Sequence, residues 1–407
     1  MRRVVITGAG TVNPLGADVA STYAALQDGR CAIGPLQFRD VDRLSIKIGA
    51  QVQGFQPEIH FSRQEVLLYD RFTQFALLAA RQAIGQSGLM FDGDLAQASG
   101  VVLGTAGGGV TTWDDSYHSV YAEGKNRVHP FVVPRLMNNA AAAHISIQHG
   151  LQGPGFSVAT ACASSNHAMG LAFGMVRSGA APVMITGGAE SMLCFGGMKA
   201  WEGLRVMSPD ACRPFSANRN GMVMGEGAAV FVFEDFDHAR ARGADILAEV
   251  IGFAMTSDAS DIVMPASQGA ARAIAACLHD GRINPDQVNY INAHGTGTAA
   301  NDKSECAAIA QVFGAHSAKL MVSSTKSMHG HLIGGAGAVE LLACMMALQT
   351  GVVAPTIGYE QPDPDCAFDV VPNVARVAKV DVALSNAFAF GGMNAVIALR
   401  RADPPRT

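Results

Sequence analysis

The chain has 407 residues, 49% of them hydrophobic and 15% charged, which supplies a large apolar core and excludes an intrinsically disordered protein. Net charge is −5 and the lysines and arginines are scattered, so no basic stripe marks a nucleic-acid or other polyanionic partner. The eight cysteines, at 31, 162, 194, 212, 277, 306, 344 and 366, include no C-x-x-C pair. That spacing argues against a zinc site or a dense disulfide framework and for reduced thiols in a cytoplasmic protein.

In chain order, residues 1–11, "MRRVVITGAGT", begin basic and turn apolar, but glycines interrupt the run before a signal sequence is complete. The run reads as a buried strand, and no stretch is expected to reach membrane-spanning length. It leads into "GAGTVNPLG" at 8–16, where a strand followed by G-x-G invites a dinucleotide-binding reading. Asn13 stands at the third glycine position and no acidic residue ends a second strand about twenty positions on, so a tight strand-to-loop turn is expected instead. "RFTQFALLAARQAIGQSG" and "GAARAIAACLHDG" have helical spacing, while "GVVLGTAGGG", "PVMITGGAE", "AAVFVFEDF" and "KLMVSSTKS" read as buried strands. This is α/β alternation. The polar passage "DFDHARARGADILAEVIGF" divides it into halves, 1–242 and 243–407, that repeat a helix, a strand with an active turn, and another helix.

Four segments could carry chemistry. "FSVATACASSNHAMG" at 156–170 puts Cys162 at a strand-to-helix turn, where unpaired N–H groups and the helix dipole would lower a thiol pKa. A small buried hydrophobe is the commoner use of a lone cysteine. "YINAHGTGTAANDKSE" at 290–305 ends a strand at His294 and carries Thr296 and Thr298 in a loop before a helix with Asp302 and Glu305. That loop resembles a phosphate cradle but has no lysine in the P-loop position. "SSTKSMHGH" at 323–331 precedes the small-residue helix "LIGGAGAVELLACMMALQTG", whose dipole disfavours a charged His331. His329 and His331 form an H-x-H pair, but no third metal ligand is implied nearby, so no metal is expected. "LSNAFAFGGMNAVIAL" at 384–399 is a strand, a glycine loop with Phe388 and Phe390, and a second strand, able to aim N–H groups at an oxyanion.

Together, in this order and spacing, and with "CRPFSANRNGMVMGEGAAVFVFED" at 212–235, the segments resemble the elongating β-ketoacyl-acyl carrier protein synthases over essentially the whole chain. The resemblance implies a thiolase-like fold, two related α/β halves in a five-layer α-β-α-β-α sandwich, and a homodimer, or a heterodimer with a ketosynthase-like partner. It implies no cofactor, and a phosphopantetheinyl acyl carrier protein as partner. It makes Cys162 the acyl-carrying nucleophile, His294 and His331 the histidine pair, and Lys326 the motif lysine with Glu305 as its ion-pair partner; Asp302 is the accompanying acid. Thr296 and Thr298 match pantetheine contacts, Phe390 the gating aromatic with Phe388 beside it, and Gly107 a position on the acyl pocket that often carries a bulky aliphatic residue. Arg205, Lys125 and Arg127 are the candidate carrier-docking cations.

The implied reaction is decarboxylative condensation of a cysteine-bound acyl group with a malonyl thioester. A thiolase would need a second cysteine in "NAFAFGGMN", which has none, and a chain-length factor would lack the nucleophile. Ala389 replaces a usual gate glycine, and His329 occupies a position that is often threonine. "KSMHGH", "NAHGTGTAAND" and "MPASQGA" are most similar to nodulation-type ketosynthases, which make specialised acyl chains.

Overall fold

The computed structural model describes residues 1–402. Ten strands form the main sheet: β1 (Val4–Val12), β2 (Gly100–Gly104), β3 (Gly155–Val158), β4 (Val183–Glu190), β5 (Gly227–Asp235), β6 (Ala248–Ser257), β7 (Tyr290–Asn292), β8 (Met321–Ser323), β9 (Val382–Ala389) and β10 (Met393–Arg400). Their order is β8-β7-β9-β10-β6-β1-β5-β4-β2-β3. The first five strands run β1-β5-β4-β2-β3 and the last five β6-β10-β9-β7-β8, the same order twice. The pairing senses repeat as well: β1/β5 and β5/β4 are antiparallel with β4/β2 and β2/β3 parallel, and the second set follows suit. The two five-stranded units meet where β1 pairs with β6 over residues 4–6 and 248–250.

Helices complete five layers. Outside the first unit lie α1 (Arg71–Ser87) and α2 (Ala140–His149); between the units lie α3 (Ser164–Ser178) and α6 (Ala336–Thr350); outside the second lie α4 (Ser267–Gly281) and α5 (Ala299–Phe313). One apolar cluster joins α3 and α6 to strands of both units, and separate clusters fill the two outer interfaces. The glycines of "GAG" serve this packing rather than a nucleotide. A Cβ at Gly8 or Gly10 would lie 2.0 Å from the Ala83 carbonyl oxygen or 2.1 Å from that of Ala79, both on α1.

Two expectations fail here. Residues 333–350 are long and apolar enough to cross a membrane, but 89% of that stretch is buried in the protein. A helix that is apolar all round suits burial between two sheets equally well. Cys306 on α5 and Cys366 form a disulfide, whereas the other six cysteines are free. The partners lie 60 residues apart, so no short motif announces them.

Candidate active site

Cys162 sits on a single tight turn, Ala161–Ala163, between β3 and α3. Ala161 has φ +47, a left-handed conformation that costs energy for a residue with a Cβ and folds the chain sharply just before the cysteine. The sulfur faces the backbone N–H groups of Phe390 and Cys162 itself. Sequence position alone suggested a lowered thiol pKa; the structure reverses this, because burial pushes the thiol up to about 12 and outweighs the Lys326 charge and the two amides. Cys162 therefore rests as a thiol. Its alkylation by iodoacetamide should rise about tenfold per pH unit from neutrality and still be climbing at pH 10, as the thiolate fraction does below such a pKa. A plateau near pH 7 would contradict this.

His294 follows β7, and the carboxylate of Glu305 fastens its loop. Oε1 of Glu305 accepts from the His294 N–H (2.9 Å) and from Asn386 Nδ2 (3.1 Å), and Oε2 accepts from the Gly295 N–H (2.8 Å). Glu305 is thus a loop clamp and not the partner of Lys326. That partner is Glu340, which α6 delivers into the core; both side chains are fully buried. Lys326 also donates to the His294 carbonyl at 2.6 Å, and its Nζ lies 3.5 Å from His294 Nδ1. Asp302 closes the same loop, accepting from the N–H groups of Phe215 (2.9 Å) and Gly297 (3.2 Å).

His331 lies in an extended bridge five residues before α6, not at its first turn. Its N–H donates to Val223 and its carbonyl accepts from Gly225. The Ile333 N–H donates to His331 Nδ1 at 3.2 Å, so the neutral ring carries its proton on Nε2, which has no partner among the described residues. Burial first, then the Lys326 charge, hold both His294 and His331 well below the ordinary histidine pKa. Both are uncharged at neutral pH. Their rings stand nearly perpendicular with centroids 5.4 Å apart, and one nitrogen of each lies within 4.8 Å of the other and of Cys162 Sγ. Such a set could hold zinc by donor type, but Lys326 beside His294 opposes a dication. His329 points elsewhere: Nδ1 donates to the Gly330 carbonyl (2.8 Å) and Nε2 accepts from Thr325 Oγ1 (2.9 Å), so no H-x-H metal pair forms.

A cavity of about 130 Å³ opens onto this centre. Cys162, His294, Thr296, Thr298, His331, Phe388 and Phe390 all line it. The two threonine hydroxyls are 2.8 Å apart, and Phe390 stacks on Trp201. Gly107 is not part of the cavity wall: a Cβ there would fall 2.4 Å from Met192 Cε, so the methionine fills the room that the glycine leaves. Arg205, Lys125 and Arg127 are on the surface; Lys125 pairs with Glu123, and Arg205 has φ +55 after the helix Phe195–Gly203. Sequence reasoning missed Glu340, Trp201 and the wall formed by Val263, Met264 and Pro265. Glu340 did leave a signal, as the only acid in the apolar stretch of α6.

A thiol and two neutral histidines in a buried cavity of this doubled fold define an enzyme that handles acyl thioesters. The beta-ketoacyl synthase N-terminal domain matches residues 1–239 and the C-terminal domain 247–360, and the chain belongs to this family. It is 48% identical over 400 residues to nodulation protein E of Rhizobium sp. strain N33, covering 98% of this chain and 99% of that one. It is 41% identical over 408 residues to 3-oxoacyl-[acyl-carrier-protein] synthase 2 of Synechocystis sp., covering 98% of each. The solved ishigamide ketosynthase/chain length factor superposes with a TM-score of 0.93 at 34% identity, over 99% and 100% of the two chains. A type II PKS ketosynthase in complex with its acyl-carrier protein superposes at 0.89 with 30% identity, over 99% and 100%. The chain is a β-ketoacyl-acyl carrier protein synthase that elongates acyl chains by condensation.

Proposed function

We propose that Cys162 carries the growing acyl group and that His294 and His331 stabilise the malonyl-derived enolate. The observation that carries this reading is the pair of neutral histidines beside one buried thiol, with His331 Nε2–H unclaimed by the protein. The thiol sulfur attacks an acyl thioester, its proton passes to the departing carrier sulfur, and the Phe390 and Cys162 amides hold the tetrahedral oxyanion. A malonyl thioester then enters. Loss of CO2 places negative charge on its thioester oxygen, where two N–H donors in a dry site are worth far more than in water. The carbanion attacks the acyl-cysteine and expels the Cys162 thiolate, which takes up one proton from solvent to return to the thiol, leaving a β-ketoacyl thioester two carbons longer. Lys326 holds His294 by its carbonyl and keeps Nδ1 an acceptor, which leaves Nε2–H to donate.

Thr296 and Thr298 line the mouth as hydroxyl contacts for the pantetheine arm, and Phe388 and Phe390 close it. Exposed Arg205, Lys125 and Arg127 suit an acidic carrier surface. The edge strand β3 at one end of the main sheet suits a second copy of this protein in a cytoplasmic homodimer. The two catalytic halves divide near residue 242. The test is a panel of acyl carrier thioesters with intact-mass detection: one acyl increment should appear, map to Cys162, and vanish in Cys162→Ser. Equal uptake by that variant would overturn the assignment.

A further inference from the structure

We propose that Glu190 is a positioning residue that ties the turn at residues 105–107 to the turn at 333–334, and through it sets the tautomer of His331. The inference rests on the reading of His331 as an enolate donor.

Glu190 ends β4 and is fully buried. Its Oε1 accepts from Thr105 Oγ1 (3.1 Å) and the Gly107 N–H (3.2 Å); its Oε2 accepts from the N–H groups of Ala106 (2.7 Å) and Gly334 (3.1 Å). One carboxylate thus satisfies four donors from two segments more than 200 positions apart. The second segment is strained: Ile333 is β-branched yet has φ +46. Such a conformation persists only where its surroundings over-determine it. What it achieves is to aim the Ile333 N–H at His331 Nδ1. Gly334 has no room for a side chain, since a Cβ would lie 2.3 Å from Ala106 N and 2.5 Å from Glu190 Oε2, and its carbonyl accepts from Ser165 Oγ on α3. Glu190 and Ser165 therefore hold the N–H and the carbonyl of Gly334, directly after the strained residue. Ala106, Ile333 and Cys162 also share one apolar cluster, so the same carboxylate braces the wall beside the nucleophile.

Glu190→Gln keeps the volume but turns an NH2 group toward two of the four donors, breaking half of the clamp. Malonyl decarboxylation should fall by up to about 10²-fold, the scale of a small misplacement of a reacting group. Acyl uptake by Cys162 should change far less, and 15N NMR of labelled histidines should show a second His331 tautomer absent from the parent. Thr105→Val removes one donor to Glu190, along with the acceptor of the Gly108 N–H, without a cavity and should give a smaller fall in the same step, which keeps the test alive if Glu190→Gln does not fold. Unchanged decarboxylation and tautomer in the variant that folds would overturn the proposal. So would loss of both half-reactions in step with thermal stability, which marks a merely structural residue. If the parent protein itself decarboxylates no malonyl carrier, the functional reading fails instead.

Discussion

His331→Ala should lower malonyl decarboxylation by about 10²–10³-fold, the effect of removing one donor from an oxyanion-stabilising site. Cys162 should still take up acyl groups. The division follows from where the charge develops. In the proposed acyl transfer the oxyanion faces the amides of Phe390 and Cys162, which alanine at 331 leaves in place. During decarboxylation the charge appears on the malonyl thioester oxygen, where the His331 Nε2–H has no competing protein partner. The ring is also neutral before reaction, so its N–H can donate without first losing or gaining a proton. Measuring CO2 release and the Cys162 acyl mass in one preparation separates the steps. Equal loss of both would show that His331 serves the thiol as well and would remove the division of labour.

The sequence made the site's members legible but not their partners. Cys162 and His294 each follow a short apolar run and His331 precedes the apolar α6, local patterns that survive folding, and the doubled strand order was foreshadowed by repeated strand-turn-helix spacing. Lys326 was legible as a member, yet its counter-ion was assigned to Glu305, a motif neighbour, when α6 brings in Glu340. Such pairings are set by how helices pack and have no sequence period. The thiol pKa was misjudged for a related reason. Position at a turn before a helix is local, whereas desolvation depends on everything that covers the sulfur. Glu190 went unnoticed because its four donors come from turns that only the fold assembles.

Lys326→Met should destabilise the protein by about 3–5 kcal/mol, because it leaves the Glu340 carboxylate buried without its counter-ion. The other Glu340 oxygen already lacks a partner, so nothing nearby can take over the charge. Lys326→Met combined with Glu340→Leu should recover much of that stability, since replacing both members of a buried pair by apolar groups is often neutral. Turnover should not recover with it. The double variant still lacks the ammonium that donates to the His294 carbonyl at 2.6 Å and faces Nδ1 at 3.5 Å, so His294 loses its anchor and the influence that keeps its proton on Nε2. Denaturant unfolding and condensation rate, measured on the parent and both variants, distinguish the contributions. If activity returned together with stability, Lys326 would be a core element only. If stability returned and activity did not, the buried pair would be present for what its lysine does to His294, with Glu340 there to make that lysine tolerable in the core.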